Sequence, residues 1–438
     1  HDREDLICYS YDATNRKSLP DIVAFPSSTT EVSKILSLAN NEKIPVIPRG
    51  AGSGMTGASV PVQGGIVLSF EKMNRIIKID EENLVGVVEP GVVTGDFHRE
   101  VEAKGLFYPP DPASMAFSTL GGNVATCAGG LSAVKYGVTK DYVLGLEVVL
   151  PSGETISTGV ETVKRVVGYD LTKLMVGSEG TLGVITKIIL RLIPKPEARK
   201  TLLAAFPRME DAAGSVSEIF KTKILPAAIE FMDRACILCI ADFAGLSLPA
   251  DAEALLLIED DGPIEVVERH GKTMAEICMA KGASGVTVAR DEKEAEDLWR
   301  ARRAISPSLR KINPHKINED IAVPRSKLPE LVHAVREVAG RYRVKNANFG
   351  HAGDGNLHFN ILYNADDPDE SGRAHRAAEE IFKMAVELGG TISGEHGIGL
   401  TKKPFIGMEL GDLGISVMKR IKKAFDPNGI MNPGKILP

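Results

Sequence analysis

Three glycine-rich segments in the first 195 residues constrain the fold of this chain more than any other feature. They are PRGAGSGMTG at Pro48–Gly57, FSTLGGNVATCAGG at Phe117–Gly130 and VGSEGTLGVI at Val176–Ile185. Glycine adopts positive φ angles without steric cost, so successive backbone N–H groups in such turns can converge on an anion. One glycine turn can serve architecture alone, but three in one region indicate a domain that holds a flat or phosphate-bearing ligand.

The first loop matches neither of two common nucleotide-binding motifs. A Walker loop requires G-K-[ST] after its spacer, and no lysine is present at Arg49–Gly57. A Rossmann fingerprint requires G-x-G-x-x-G followed by a helix and a later acidic residue, and the loop does not match this complete pattern. An ordinary tight turn remains an alternative for this loop taken alone, and no NAD site is predicted.

The composition indicates a two-domain globular protein. At 438 residues the chain exceeds the size at which one core stops growing, and its 43% hydrophobic and 25% charged residues are ordinary values. The net charge of −6, with both signs mixed throughout, provides no basic stripe, so nucleic-acid binding is not expected. No apolar run approaches the ~18 residues of a transmembrane helix, so we expect no membrane span and at most peripheral attachment through a partner.

The cysteines favour a reducing compartment. Five are present, an odd number without framework spacing, and we therefore expect a cytoplasmic protein. Cys236 and Cys239 form a C-x-x-C pattern, but it lies in an apolar run without a second pair, which favours two buried small side chains. The sequence begins with His1 and not with Met, so we expect a short N-terminal piece, with any targeting signal, to be missing.

The periodicity changes near Pro194-Lys195-Pro196, where we place the domain boundary. Before it, short apolar runs alternate with glycine and proline, whereas longer helical patterns follow it, indicating an α+β layer. The predicted helices of this second part are Met209–Thr222, Pro226–Phe243, Ile264–Lys281, Asp291–Lys311, Lys327–Gly340 and Ser371–Leu388. The predicted strands between them are Leu255–Glu259, Gly285–Ala289, Asp320–Val323, Val344–Phe349 and Leu357–Tyr363, and a last helix is expected near Ile415–Phe425.

Two further motifs carry metal-ligand chemistry. NFGHAGDGNLHFN at Asn348–Asn360 and SGEHGIG at Ser393–Gly399 contain His351, His358 and Glu395, with His396 beside them. Imidazole and carboxylate suit a borderline divalent ion such as zinc, and three protein ligands leave a coordination position open. Each histidine alone is more often a hydrogen-bonded structural residue, so the prediction depends on the set.

Taken together, the chain resembles FAD-linked oxidoreductases of the vanillyl-alcohol-oxidase type. The resemblance is to the branch containing D-lactate dehydrogenase, the glycolate oxidase catalytic subunit and D-2-hydroxyglutarate dehydrogenase. It covers nearly the whole chain and rests on PRGAGSGMTG, PPDPAS, GGNVATCAGG, GSEGTLG, GHAGDGNLH and GEHGIG. It implies an α+β, two-domain fold with an FAD-binding domain at 1–195, a substrate-binding cap domain at 196–410, and a C-terminal helix and tail at 411–438 that close the site.

The resemblance also implies which residues bind FAD. The pyrophosphate loop would comprise Arg49, Gly50, Ala51, Gly52, Ser53, Gly54 and Gly57. Residues along the flavin would be Pro110, Asp111, Ser114, Thr119, Gly121, Gly122, Asn123, Ala125 and Gly129. The adenine end would involve Glu179, Gly180, Gly183 and Ile185, with Asn432 as a last contact from the tail. His98 lies outside every motif, so we predict non-covalent FAD.

In the resembling family, His351, His358 and Glu395 bind the metal, here expected to be zinc, with manganese or iron as alternatives. His396 would be the general base, because neutral imidazole titrates near physiological pH. Arg302 and Ser306 match substrate-binding positions of the family, and Asn360, which shares a strand face with His358, is also predicted to bind the substrate. Most arginines on such a charged helix only solvate its surface, which is the alternative for Arg302.

The implied activity is FAD- and metal-dependent oxidation of a D-2-hydroxy acid to the 2-oxo acid. D-Lactate or glycolate is preferred, because Lys316 does not align cleanly with the lysine that dicarboxylate-specific members use. D-2-Hydroxyglutarate dehydrogenase, a zinc hydrolase and a non-catalytic flavin electron-carrier subunit are the alternatives. The acceptor would be an iron–sulfur subunit, an electron-transfer flavoprotein or a quinone, and a homodimer is left open.

Overall fold

The computed structural model describes residues 3–14, 16–244, 252–313 and 315–438. These residues form two compact units, each with its own sheets. The first unit comprises residues 1–130, 137–195 and 395–438, and the second comprises residues 131–136 and 196–394. Both units mix helices with mostly antiparallel strands, so the predicted α+β class is confirmed.

The strands of the first unit are short. They are β1 (Ile22–Ala24), β2 (Val46–Arg49), β3 (Ile66–Ser69), β4 (Ile76–Asp80), β5 (Val85–Val88), β6 (Leu106–Phe107), β7 (Val143–Val149), β8 (Thr155–Ser157), β9 (Val184–Arg191) and β10 (Ile193–Pro194). They pair as a parallel sheet β1–β3–β2, a sheet β4–β5–β9–β7–β8 and a small pair β10–β6. The burial pattern of β9 alternates, as expected for a strand with one face in the core.

The strands of the second unit are longer. They are β11 (Ala198–Phe206), β12 (Ala228–Asp233), β13 (Ala254–Gly262), β14 (Gly285–Val288), β15 (His315–Ala322), β16 (Lys345–His351) and β17 (Asn356–Tyr363). They form one sheet in the order β14–β11–β13–β12–β16–β17–β15, in which every pairing is antiparallel. Strands β12, β16 and β17 are therefore neighbours, and this adjacency brings together side chains that are distant in sequence.

The helices follow the chain between these strands. They are α1 (Arg3–Cys8), α2 (Thr29–Glu42), α3 (Thr94–Glu102), α4 (Leu120–Thr126), α5 (Ala133–Tyr136), α6 (Thr139–Tyr142), α7 (Leu171–Met175), α8 (Met209–Lys221), α9 (Arg234–Ala244), α10 (Ile264–Ala280), α11 (Glu292–Arg303), α12 (Ile305–Ser308), α13 (Leu328–Tyr342), α14 (Pro368–Glu387) and α15 (Ile406–Phe425). Within the described ranges, no helix combines the length and the apolar character needed to cross a bilayer.

Apolar side chains form a core within each unit. In the first unit, α2 packs Val32, Leu36 and Ala39 against β2, β3 and the C-terminal residues Ile430 and Met431. In the second unit, α9, α11 and α12 pack against the sheet around Met232, Cys236, Trp299 and Phe349. Cys236 is fully buried, as predicted, whereas Cys239, which was predicted to be buried as well, is only partly buried.

The predicted helix at Pro226–Phe243 is wrong in its first half. Residues Ala228–Asp233 form β12, which is buried throughout and hydrogen-bonded on both sides, to β13 and β16. The helix begins only at Arg234. The preceding residue, Asp233, accepts hydrogen bonds from the backbone N–H groups of Cys236 and Asn348. Burial raises the pKa of Asp233 to about 6. Pairing across the sheet has overridden the local helical pattern.

Other predicted boundaries also shift. The helix expected at Asp291–Lys311 ends at Arg303, and the short α12 follows it. The last helix starts at Ile406, nine residues before the predicted Ile415, and contains a non-helical residue, Gly411, at φ 62° and ψ 174°. Strand β11 lies outside every predicted strand.

Candidate cofactor cavity and metal-binding residues

A cavity in the first unit is lined by all three glycine-rich segments. The residues that line it are mostly small and come from within the segments Pro48–Ser59, Pro112–Ser114, Thr119–Gly129 and Ser178–Ile185, together with Phe70, Pro90, Glu395 and His396. Strand β2 ends at Arg49 and delivers the chain directly into the first loop. The parallel β2–β3 pair therefore positions the loop at a sheet edge, where backbone groups are free to face a ligand.

Gly52 and Arg49 fit tightly within this loop. Gly52 has a φ of +69°, and a Cβ atom built on it would lie 2.5 Å from Arg49 Cζ. The Arg49 side chain is buried and donates hydrogen bonds from Nη1 to the backbone oxygen of Tyr11, at 2.8 Å, and to Ser59 Oγ, at 3.3 Å. The loop conformation thus requires glycine at position 52 for both its φ angle and its space.

The second segment lines the cavity as a short helix. Thr119 caps α4, and its Oγ1 accepts a hydrogen bond from the N–H of Gly122 at 3.3 Å. Cys127 ends the helix in the left-handed conformation, at φ 54°. A Cβ atom at Gly50 would collide with Thr119 Oγ1, so the first and second segments touch through a position that only glycine fits.

Glu179 anchors the turn that carries Glu395 and His396. Its buried carboxylate accepts hydrogen bonds from the backbone N–H groups of Ile398, at 2.7 Å, and Gly399, at 2.8 Å. Burial is the main cause that raises the pKa of Glu179 to about 7, in spite of these donors. Because the turn is held two and three residues after His396, its imidazole is presented to the cavity from a fixed backbone.

The C-terminal tail supports the cavity wall from behind. The backbone N–H of Asn432 donates to Val46 O at 2.8 Å, and its side-chain amide donates to the backbone oxygens of Ala58 and Glu179, each at 2.8 Å. Ala58 and Glu179 both line the cavity, whereas Asn432 does not. Its place in the structure is therefore behind the wall.

The structure brings most of the predicted cofactor residues together. The exceptions, which do not line the cavity, are Gly57, Pro110, Asp111 and Asn432. Gly57 has a φ of +80° and would meet Leu400 if it carried a Cβ atom. Pro110 instead accepts a hydrogen bond at its backbone oxygen from the His98 ring, 3.0 Å away.

A buried histidine pair lies in the second unit. His351 ends β16, and His358 is the third residue of β17, in register with Phe349. The two Nε2 atoms are 3.3 Å apart, and both side chains are buried. A tight turn between β16 and β17 brings the two imidazoles close together, and Gly355 in that turn has a φ of +80°. Two imidazoles whose Nε2 atoms face each other are a natural pair of metal ligands.

A carboxylate that sequence reasoning missed connects this pair to Arg302. Glu230 on β12 pairs in register with His351, and its Oε1 lies 2.6 Å from His351 Nδ1. Its Oε2 accepts hydrogen bonds from Arg302 Nε, at 2.8 Å, and Nη2, at 2.5 Å. The Arg302 guanidinium also lies 4.6 Å from the centre of the Phe349 ring. Arg302 is thus a buried residue and does not solvate the surface of α11.

Asn360 and Ser306 have distinct surroundings in the same unit. Asn360 shares the strand face of His358, and its Nδ2 donates to the backbone oxygen of Ala347 at 3.1 Å. Among the residues that the structure describes, the buried Asn360 Oδ1 has no hydrogen-bond partner, a situation that costs about 1–3 kcal/mol unless a ligand or water fills it. Ser306 Oγ accepts a hydrogen bond from Lys316 Nζ at 2.9 Å.

Glu230 was missed because its segment was predicted as helix. The signal that could have found it is an acidic residue in the middle of an apolar strand, AIEFMD, since a charge there needs a buried partner. Met55, Phe70 and Pro90 also line the cavity without belonging to any predicted set. They lie outside or between the glycines, where apolar residues have no distinctive sequence pattern.

Comparison with known proteins shows which family this chain belongs to. Residues 195–436 match the family described as FAD linked oxidases, C-terminal domain, and residues 20–159 match an FAD binding domain. The chain is 50% identical to the glycolate oxidase subunit GlcD of Bacillus subtilis over 431 residues, which covers 98% of this chain and 92% of the relative. It is 38% identical to a D-lactate dehydrogenase of Anaerostipes hadrus over 433 residues, covering 96% and 90% of the two chains.

A solved structure shares the fold. The structure of p-cresol methylhydroxylase with substrate bound aligns with a TM-score of 0.81 at 20% identity, covering 99% of this chain and 92% of that one. The family matches and the relatives confirm the resemblance drawn from the glycine and histidine motifs. The chain belongs to the FAD-linked oxidase family and is an FAD-dependent oxidoreductase with the two-domain fold of the vanillyl-alcohol-oxidase type.

Proposed function

We propose that this chain oxidises a small D-2-hydroxy acid, preferably D-lactate or glycolate, to the 2-oxo acid. The observation that carries the proposal is His396 on the wall of a glycine-lined cavity, in a chain whose named relatives include a glycolate oxidase subunit and a D-lactate dehydrogenase. An oxidoreductase of hydroxy acids requires a group that accepts the hydroxyl proton, and imidazole suits this role near neutral pH.

FAD fits the residues that line the cavity. Small side chains and glycines at positions 50–54 and 121–129 leave room for a flat ring system and expose backbone N–H groups to a pyrophosphate. When bound, FAD supplies the two-electron acceptor for the oxidation. We propose non-covalent binding, because His98 is buried, lies against Pro110 O and is not among the residues that line the cavity.

Replacing Gly52 by alanine should weaken FAD binding and destabilise the first unit. A left-handed conformation costs an alanine about 1–2 kcal/mol, and the new Cβ atom must also displace the Arg49 guanidinium. We expect a lower ratio of flavin to protein after purification and a lower midpoint of denaturant unfolding. Gly214→Ala, in α8 with open space around it, is the control and should retain full flavin content. Unchanged flavin content in Gly52→Ala would show that the loop does not hold FAD.

A divalent metal fits the buried histidine pair. We propose that His351, His358 and Glu395 hold zinc, with manganese or iron as alternatives, because imidazole and carboxylate suit all three ions. A bound divalent ion lowers the pKa of a coordinated hydroxyl group. The adjacent His396 would then accept the hydroxyl proton at a ring nitrogen.

The remaining side chains would orient the acid. Arg302 uses two N–H groups for Glu230, and a guanidinium has five, so donors remain for a substrate carboxylate. Asn360 Oδ1 offers a buried acceptor to a substrate hydroxyl. Ser306 would contribute a hydroxyl near Arg302, one helical turn further along the chain.

D-2-Hydroxyglutarate is the second candidate substrate. Lys316 Nζ donates to both the hydroxyl and the backbone oxygen of Ser306, so a cation adjoins a proposed substrate contact. A second carboxylate could bind such an ammonium group. We favour the smaller acids because this lysine already makes two hydrogen bonds to Ser306 and does not align with the dicarboxylate motif.

A substrate panel tests the proposal directly. With a dye acceptor, we expect turnover with D-lactate or glycolate, little with D-2-hydroxyglutarate and none with L-lactate. Anaerobic D-lactate should bleach the flavin absorption, while L-lactate should not. A colourless protein with esterase or peptidase activity would indicate a zinc hydrolase. A yellow protein that no hydroxy acid bleaches would indicate an electron-carrier subunit, and either result would overturn the proposal.

The physiological acceptor would be a protein or a quinone. We propose an iron–sulfur subunit, an electron-transfer flavoprotein or a quinone, because no helix follows the first glycine loop in the described segment between β2 and β3, as a Rossmann NAD site would require. The relative from Bacillus subtilis is itself named as a subunit, which supports a multi-subunit arrangement. NAD added to the substrate-reduced protein should therefore not restore the oxidised flavin spectrum.

A further inference from the structure

We infer that Glu230 is a positioning residue that sets the protonation pattern of the His351 ring. The inference rests on the proposed metal site, because the consequence of that pattern is that Nε2 of His351 is available to an ion. Glu230 belongs to none of the sequence motifs and lies on a different strand from both histidines. It acts through His351 and not on the substrate.

The sheet fixes the distance between Glu230 and His351. The two residues are direct antiparallel partners on β12 and β16, and the neighbouring pair is Phe231 with Gly350. Side chains of such pairs lie about 4.5–5.5 Å apart at Cβ and project to the same face. The contact between Glu230 Oε1 and His351 Nδ1, at 2.6 Å, is therefore a consequence of strand register and not of a flexible rotamer.

Burial makes the partners of Glu230 obligatory. Its side chain has 0% exposure, so an ionised carboxylate there must be paired and hydrogen-bonded. Arg302 supplies the opposite charge through two hydrogen bonds to Oε2. Stacking of the guanidinium on Phe349 keeps Arg302 at this position. Oε1 is then left to accept a hydrogen bond from the histidine.

The hydrogen bond between Glu230 Oε1 and His351 Nδ1 decides which ring nitrogen carries the hydrogen, because a carboxylate oxygen accepts. Nδ1 of His351 must carry the hydrogen that it donates to Glu230, so in the neutral ring Nε2 presents its lone pair. That lone pair is directed towards His358 Nε2, 3.3 Å away. Carboxylate–histidine–metal arrangements of this kind orient the ligand and raise its basicity.

Glutamine at position 230 should reverse the pattern. Gln has one acceptor and one donor group, and Arg302, which only donates, will attract the amide oxygen. The amide NH₂ then faces His351 and favours a ring with its lone pair at Nδ1 and its hydrogen at Nε2. That hydrogen points to the position where an ion would bind, so metal affinity should fall about 10- to 100-fold, the range for lost outer partners.

The experiment combines a spectroscopic readout with metal binding. Protein with bound FAD and ¹⁵N-labelled histidine is freed of metal with a chelator, and the ¹⁵N shifts of His351 identify which ring nitrogen is protonated. His351→Asn assigns the signals. Zn²⁺ affinity is then measured by competition with a chromophoric chelator. Glu259→Gln is the matched control, because Glu259 on the adjacent β13 binds Thr201 and Trp299.

We expect the hydrogen of the His351 ring at Nδ1 in the wild type and in Glu259→Gln, and at Nε2 in Glu230→Gln. Of these three proteins, Glu230→Gln alone should bind Zn²⁺ more weakly. The double variant Glu230→Gln/Arg302→Met removes the competing donors, so the amide oxygen can turn to His351 and hydrogen should return to Nδ1. Glu230→Gln alone leaves the buried Arg302 guanidinium without an opposite charge, which can prevent folding. The double variant removes this guanidinium, so the test can be made on the double variant if the single variant does not fold.

Two failures can be told apart. An unchanged His351 ring and unchanged Zn²⁺ affinity in Glu230→Gln would overturn the role of Glu230. Zn²⁺ binding that His351→Asn does not weaken would overturn the proposed metal site, while the ring protonation of the metal-free protein would still report on Glu230.

Discussion

Asparagine in place of His396 is expected to lower turnover of the preferred acid about 10²- to 10⁴-fold while FAD stays bound. The imidazole lines the cavity beside Glu395, and its backbone is held by Glu179 through Ile398 and Gly399. Asparagine keeps a polar side chain of smaller size but cannot accept a proton near neutral pH. Steady-state kinetics with a dye acceptor measure the loss, and the flavin absorption of the purified protein measures retention.

The control for this substitution is His375→Asn. His375 is exposed on α14 and has no part in the proposed chemistry, so kcat should stay at the wild-type value. If His396→Asn turned over the acid as fast as the wild type, His396 would not be the general base. If it lost FAD together with activity, His396 would be a cofactor contact.

Loss of His358 should have the second large effect. His358→Ala removes one of two imidazoles whose Nε2 atoms lie 3.3 Å apart. We expect metal affinity to fall by more than the roughly 100-fold upper range seen when only an outer partner is lost, and turnover to fall with it. Elemental analysis gives the metal content. Chelator treatment of the wild type should reproduce the loss, and added Zn²⁺ should reverse it only in the wild type.

His333→Ala provides the comparison. This histidine is 60% exposed at its side chain and pairs with Glu337 one turn along α13, so its removal should change neither metal content nor turnover. Equal metal content in the wild type and in His358→Ala would contradict the proposed ligand set. Full activity of metal-free protein would contradict the need for a metal.

The parts of the molecule that could be predicted from sequence are those fixed by local conformational rules. Gly52 and Gly180, each at φ +69°, occupy turns that few other residues could form, so their motifs can be recognised in the sequence alone. The helices at Met209 and Ile264 were predicted within a residue or two, because their amphipathic periods are unbroken.

The parts that could not be predicted depend on partners far along the chain. AIEFMD becomes a strand because β13 and β16 flank it, and neither neighbour is visible from its own pattern. The contact of Glu230 with His351 spans 121 positions. Likewise, the burial of Arg302 follows from Glu230 and not from the charged helix on which it lies. Misassigning one strand therefore concealed both the carboxylate and the reason for the arginine.

The contribution of residues 395–438 to the first unit has a consequence for biosynthesis. During translation, residues 1–195 emerge early, yet Asn432 must bond to Ala58, 374 positions earlier, before the wall behind the glycine loop is complete. The second unit is mostly continuous in sequence and can consolidate on the ribosome. Loading of the dinucleotide should consequently be a late, post-release event, and nascent chains arrested before residue 430 should emerge colourless.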